Sequence, residues 1–165
     1  MSNTRGSGSW ATVCLNRISM NPISLARARL LAALDPAIER WDRVPFCWGV
    51  EDCALSVADV LRAGLGFDPA ARLRDRYTSA RGYLRVLRRE GWRNLDGCIA
   101  ALAADFGWVS IDPTEAQPGD LGILPHAIGR TCALHYRGAF WIARRPGRGC
   151  AVRPSSEIQL AFKVA

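Results

Sequence analysis

The order of the secondary-structure signals along the chain is the feature that most constrains its fold. Up to about residue 106, apolar residues recur at helical spacing, and capping residues such as Asn94 mark the helix starts. After Gly107, turn sequences separate short strand-like segments. Helices followed by a small antiparallel sheet predict an α+β domain. A chain of 165 residues is long enough to form one such domain with its own core.

These signals also predict the individual elements. Helices are expected over residues 22–41, with a break or kink at Asp35-Pro36, then from Cys53 to about Gly64, over residues 68–75, and from Thr78 or Ser79 and from Asn94 onwards. Strands are expected near residues 120–124, 131–137, 139–143, 149–153 and 158–164.

The start of the chain differs in composition from the rest. Residues 1–21 begin with a polar, Gly/Ser-rich sequence without periodicity, which predicts a flexible N-terminal arm. Residues 22–165 are then expected to form a single domain. Translation could begin at Met1 or at Met20, because the better helix start follows Met20.

The segment from Trp41 to Asp59 contains the best candidate for a chemical site. Asp52 suits the N-cap of the helix that follows, which places Cys53 at the first helical position. The positive end of the helix dipole favours a thiolate there, and a thiol so placed can act as a nucleophile. The alternative is structural, because a free cysteine more often packs as a small hydrophobic residue.

Composition limits the classes of function. Six cysteines lie at irregular spacing without a C-x-x-C pair, so neither a metal site nor a redox pair is predicted, and no cofactor is expected. No segment is apolar enough for a membrane span, and no signal peptide is recognisable. The net charge of +7 favours anionic partners.

The most basic part of the sequence lies between residues 72 and 93. Its arginines could bind an anionic partner such as nucleic acid, or they could form the solvated face of a helix. No ladder of stacking aromatic residues is interleaved with these charges as in a single-strand binding surface, so nucleic acid is the less favoured partner.

Four sequence blocks carry a resemblance to a known family. The chain resembles the NlpC-type cysteine peptidases, which have a papain-like fold, and more closely a small related family found beside tail-tip genes of tailed phages and prophages. The matching blocks are P-F-C-W-G-V-E-D-C-A-L-S-V-A-D (45–59), G-F-D-P-A-A-R-L-R-D-R-Y (66–77), T-S-A-R-G-Y-L-R-V-L (78–87) and P-G-D-L (118–121).

The resemblance implies a papain-like arrangement and a set of catalytic roles. Cys53 would be the nucleophile, a histidine on the second strand of the sheet would be the base, and a third polar residue would orient that base. The substrate class of the broader peptidase group is the peptide stem of the bacterial cell wall. The expected partners are therefore other tail-tip or hub proteins and peptidoglycan, for a protein made in the host cytoplasm and carried in the virion tail.

Two histidines are candidates for the base, and neither matches the family pattern. Aligning the strand on Gly138 places Cys132 at the position of the base, with His135 three residues later. An odd offset along a strand points to the opposite face unless a bulge resets the register. The preferred catalytic pair is nevertheless Cys53 with His135, and His126, in the preceding loop, is the alternative.

Two main hypotheses follow. In one, the chain is a cell-wall peptidase that uses Cys53. In the other, it is a degenerate peptidase fold kept as a structural or docking part of the tail tip, with a closed pocket formed by Trp41, Phe46 and Trp48 beside Asp52. A nucleic-acid-binding module is a third class, and it rests on charge alone.

Overall fold

The computed structural model describes residues 21–127 and 129–165. Within these ranges the chain forms four α-helices and a six-stranded antiparallel sheet, which confirms the α+β class. The helices are α1 (Pro22–Arg43), α2 (Cys53–Leu65), α3 (Ala80–Arg89) and α4 (Leu95–Phe106). The strands are β1 (Val109–Ile111), β2 (Leu121–His126), β3 (Gly129–Arg137), β4 (Phe140–Arg144), β5 (Cys150–Pro154) and β6 (Leu160–Lys163). The predicted N-terminal arm lies almost entirely in residues 1–20, outside the described ranges.

The sheet has the strand order β1-β6-β2-β3-β4-β5, and every neighbouring pair is antiparallel. Strands β2 to β5 follow one another as a meander. Strand β6 returns to pair with the free edge of β2, and β1 pairs with β6. The five predicted strands are present, and β1 is an additional strand that the sequence signals did not indicate.

The main core lies between the helices and one face of the sheet. Alternating residues of the strands, such as Ile123, Cys132 and Leu134, pack there against Leu55 and Leu61 of α2. A smaller cluster occupies the other face, around Leu124, Ala133, Trp141, Ala143, Ile158 and Ala161. The sheet is therefore buried on both faces near its centre, and α2 lies over β3 and β4.

The structure corrects two helix predictions. Helix α1 continues through Pro36, because the apolar face carrying Leu30, Leu34 and Trp41 stays buried along its whole length. Residues 69–75 form successive turns instead of a short helix. Asp68 does accept a hydrogen bond from Ala70 N, but Asp75 adopts a left-handed backbone and donates its N–H to the Gly49 carbonyl.

The P-G-D-L turn before β2 has a structural role. The Asp120 carboxylate is buried and lies 2.7 Å from the Arg27 guanidinium of α1. Arg27 also donates to the Pro118 carbonyl at 2.8 Å and to the carbonyl of Ala165. This ion pair joins the first helix to the start of the sheet and to the end of the chain. None of the helices in the described residues is both long and apolar enough to cross a membrane.

Candidate functional site

Helix α2 begins at the predicted cysteine. Asp52 is the N-cap, and its Oδ1 accepts hydrogen bonds of 3.0 Å from the backbone N–H groups of Ala54 and Leu55. Cys53 is the first helical residue, as predicted. The capping bonds satisfy two of the free donors of the first turn, and they fix the direction in which the thiol leaves the helix.

The second oxygen of Asp52 binds the segments on either side of the helix start. Its Oδ2 accepts a 2.9 Å bond from the Gly49 N–H and a 2.5 Å bond from the Tyr77 hydroxyl. Asp52 is 1% exposed, so this carboxylate is a buried acceptor with four donors. Burial, followed by the neighbouring charge of Asp52, raises the pKa of Tyr77, which keeps the phenol protonated as a donor.

Glu51 makes a second buried connection beside the thiol. It is 4% exposed, it forms an ion pair with Arg40 of α1, and it accepts a 3.4 Å bond from the Ser56 hydroxyl. The hydrogen bond from Arg40 to Glu51 raises the pKa of that guanidinium. The acidic dipeptide of the motif therefore holds α1, α2 and the approach to Cys53 together.

A cavity of about 600 Å³ opens beside Cys53. It lies between four parts of the fold: the segment just before α2, the start of α3, the start of α4 and the β2–β3 hairpin. Its lining residues are Phe46, Trp48, Cys53, Ala80, Tyr83, Leu84, Asn94, Leu95, His126, Gly129, Arg130, Thr131, Arg144 and Pro146. Cavities of this size hold small ligands or short peptide segments.

The Cys53 thiol is protonated at neutral pH. Its side chain keeps some exposed surface, but burial among its neighbours raises its pKa to about 11. Asp52 acts in the same direction, whereas the Thr131 side chain and the backbone N–H groups of Cys53 and Ala54 lower the pKa. Thr131 Oγ1 forms no regular hydrogen bond within the described residues, so its contact with the sulfur is a loose one. The helix start is thus outweighed by desolvation.

The two histidines occupy different places. His126, at the exposed end of β2, lines the cavity together with Cys53. His135 is 2% exposed, packs edge-to-face against Trp141 with ring centroids 5.1 Å apart, and shares a 2.8 Å hydrogen bond between Nε2 and the Gly138 carbonyl. The register shift in β3 lies between His135 and Arg137. The structure does not bring His135 to the cavity that contains Cys53.

Only two of the four predicted pocket residues line the cavity. Phe46 and Trp48 line the cavity, with ring centroids 5.0 Å apart. Trp41 is a core residue at 1% exposure, and Asp52 supports the site from behind as the N-cap. Cys132, which the alignment placed at the position of the base, is buried in the main core, and burial raises its pKa.

Several cavity residues were not found by sequence reasoning. They include Tyr83, Asn94, Arg130, Thr131, Arg144 and Pro146. One signal was available for Asn94, since an N-cap lies at an exposed helix end. The others come from segments far apart in sequence, and only the folded sheet brings them together.

The basic region divides into paired and exposed arginines. Arg74 is bound to Asp59 and Asp68, and Arg76 to Glu90. The exposed arginines Arg81, Arg85, Arg88 and Arg89 of α3 form no ion pair within the described residues. As for metals, the described part of the chain contains no group of three or more His, Cys, Asp or Glu side chains placed to hold an ion.

Comparison with known proteins gives one family. A family model described as Domain of unknown function (DUF6950) matches residues 27–164. The chain belongs to this family. The DUF6950 match spans most of α1, all the other helices and strands, and every residue that lines the cavity. No curated protein matches the chain.

Proposed function

We propose that this DUF6950 domain is a phage or prophage tail-tip component with an NlpC-type, papain-like fold, in which Cys53 cleaves stem peptides of peptidoglycan during cell entry. One observation carries the enzymatic part of the proposal: the thiol at the first turn of α2 lies on the wall of a cavity that also contains a histidine, His126. The sequence blocks around Cys53 and Tyr77 support the tail-tip part.

The chemistry follows from the protonated state of the thiol. Because the pKa of Cys53 is about 11, a base must take the proton as the sulfur attacks the peptide carbonyl carbon. The imidazole of His126 is the group in the cavity that can accept it. The imidazolium then gives the proton to the leaving amine as the C–N bond breaks, and water hydrolyses the thioester to release the acid and regenerate the thiol.

A second candidate function is supported by the same site. A thiol with a raised pKa, and a histidine at an exposed strand end without a bonded orienting partner in the described residues, are features of a peptidase fold that no longer cleaves. In this alternative the aromatic cavity binds a segment of a neighbouring tail protein, and the domain has a structural or docking role.

The two candidates are separated by cleavage assays on purified peptidoglycan and on its soluble stem peptides. The enzyme requires that Cys53→Ala abolishes cleavage while Cys47→Ala, at an exposed neighbouring thiol, leaves it unchanged. His126→Gln should lower the rate far more than His135→Gln, provided that both variants remain folded. Wild-type cleavage rates in Cys53→Ala would refute the enzymatic role, and no cleavage by the wild type would favour docking.

The tail-tip assignment has its own test. Purified virions from a phage or prophage that encodes this chain should contain it at a fixed ratio to the tail-hub proteins, as measured by quantitative mass spectrometry. Absence from washed particles would contradict the assignment under both candidate functions.

A further inference from the structure

The wall of the cavity is apolar with cationic groups and no acidic ones. Its apolar residues are Phe46, Trp48, Ala80, Leu84, Leu95 and Pro146. Among the described residues, the charged ones that line it are Arg130 and Arg144, and neither an aspartate nor a glutamate does so. An apolar wall with a few cations of one sign selects ligands that are themselves apolar with an anionic group.

Three lining residues keep a buried polar atom without a hydrogen-bond partner in the described residues. These atoms are Tyr83 Oη, Arg144 Nε and Thr131 Oγ1, the last of which has only its loose contact with the Cys53 sulfur. Unpaired buried polar atoms cost free energy, so a ligand that pairs with them is stabilised. All three atoms carry a hydrogen that they can donate. A carboxylate, which accepts several hydrogen bonds and donates none, matches this set.

Arg144 supplies a buried charge that forms no ion pair with the described residues. It is 3% exposed, and it donates to the carbonyls of Trp41 at 2.6 Å, of Gly149 at 3.2 Å and of Val44. No carboxylate of the described residues lies within ion-pair distance of it. Burial lowers the pKa of its guanidinium, and the more distant charges of Glu51 and Asp42 oppose that shift without cancelling it. A buried cation held by neutral carbonyls is stabilised by an anion that enters from the cavity.

Arg130 adds a second cation to the cavity wall. It is about one-third exposed and lies 3.3 Å from Asp96. An exposed pair of this kind is weak enough for the guanidinium to turn toward a ligand.

We infer that the cavity beside Cys53 binds an apolar ligand that carries a carboxylate. The apolar part of the ligand lies against Phe46, Trp48 and Leu84, and its carboxylate points toward Arg144 and Arg130. This goes beyond the proposed function, because it requires the cavity and its donors and not a nucleophilic Cys53.

Three ten-carbon probes test the inference on the wild-type protein: decanoate, decanol and decyltrimethylammonium, each below its aggregation concentration. The readout is protection of Cys53 from iodoacetamide, measured by peptide mass spectrometry, with the exposed Cys47 as the reference in the same molecule. Decanoate should half-protect Cys53 at a concentration about tenfold lower than decanol, which corresponds to about 1.4 kcal/mol from its charge-assisted hydrogen bonds. The ammonium probe should not protect.

The inference is overturned if decanol protects as well as decanoate, if the ammonium probe protects equally, or if decanoate does not protect Cys53 selectively over Cys47. Because these outcomes are read from binding, they are independent of whether Cys53→Ala changes peptide cleavage.

A matched pair of variants locates the anionic end. Arg130→Gln removes one charge from the cavity wall, whereas Arg153→Gln removes an arginine that pairs with Glu157 outside the cavity. Arg130→Gln should raise the decanoate concentration for half-protection about threefold and leave that for decanol unchanged. Equal effects of the two variants, or no effect of Arg130→Gln, would contradict the placement.

Discussion

The Tyr77 hydroxyl donates a 2.5 Å hydrogen bond to Oδ2 of Asp52, the residue that caps α2. The bond connects two buried side chains that are 25 positions apart in the sequence. It therefore makes the orientation of Cys53 depend on a residue outside the motif that contains the thiol. A helix N-terminus that is fixed by local capping alone can fray, whereas this one is also held by the segment that precedes α3.

Removal of this bond should destabilise the fold. Tyr77→Phe leaves a buried carboxylate with one donor fewer, and a hydrogen bond to a charged group contributes about 1.5–3 kcal/mol. The free energy of unfolding from urea titration should fall by that amount. Tyr136→Phe is the matched control, because its hydroxyl bonds to Asp35 at the surface. A change for Tyr77→Phe as small as that for the control would show that the bond does not hold the cap.

Gly49, in the segment just before Cys53, lies very close to the backbone of Tyr77, and this close contact can be tested. Its φ is +78°, and a Cβ built on it would lie 2.0 Å from the Tyr77 carbonyl oxygen. Gly49→Ala should cost about 3–5 kcal/mol, because left-handed strain and a backbone clash add together. At Gly66 φ is +80°, but a Cβ built there would meet no non-neighbouring atom of the described residues within 4 Å. Gly66→Ala should therefore cost only about 1–2 kcal/mol. Thermal unfolding of both variants measures the difference, and equal costs would argue against the clash.

The parts of the fold that depend on local signals were predictable. Asp52 before an apolar stripe marked the start of α2, and turn residues such as those at 117–120 separated the strands. Strand β1 was missed because its three residues carry no turn signal of their own. Its existence depends on pairing with β6, some 50 residues later, which a local pattern does not contain.

The errors have the same origin in long-range contacts. Pro36 lacks the N–H that a helix interior uses, so a break or kink was expected. The helix does not break, because the burial of α1 against α2 and the core outweighs the loss of one bond. Residues 69–75 form turns instead of a helix because the Asp75 N–H donates a hydrogen bond to the Gly49 carbonyl and Arg74 forms an ion pair with Asp59. In both segments tertiary contacts override propensity.

Only the part of the candidate site that lies in one continuous segment of the sequence could be predicted. The sequence placed Cys53 at a helix start and Phe46 and Trp48 beside it, since all three belong to one continuous segment. Strand alternation predicted that His135 points away from Cys53 unless a bulge intervenes, and its ring does pack on Trp141. His126, Thr131 and Arg144 share the cavity with the thiol because β2, β3 and β4 pair with one another, and no spacing rule contains that information.

The buried thiol of Cys98 predicts a loss of stability in alkaline solution. Burial raises its pKa to about 12 in the folded protein, whereas an unfolded cysteine titrates near 8.5. Between these values the unfolded chain releases a proton that the folded protein keeps, so stability falls as pH rises. From pH 8 to 10 this loss amounts to about 2 kcal/mol. Between these two pH values the free energy of unfolding of the wild type should therefore fall by about that much more than that of Cys98→Ala, as measured by urea titration at each pH. Equal falls in the two proteins would count against the raised pKa.

The raised pKa of Cys53 predicts a distinctive reactivity profile. Since only the thiolate is alkylated and the pKa is about 11, the rate with iodoacetamide should rise roughly tenfold per pH unit from pH 7 to 10, without levelling off. Cys53 should still react faster than Cys98, because Cys98 is 1% exposed and has a pKa of about 12. Thr131→Val should slow Cys53 further, because the Thr131 side chain favours the thiolate, whereas Ser110→Ala on β1 should have no effect. Peptide mass spectrometry of time points gives each rate. A plateau for Cys53 below pH 9 would indicate a thiolate already poised near neutral pH, and the desolvated thiol described above would then be wrong.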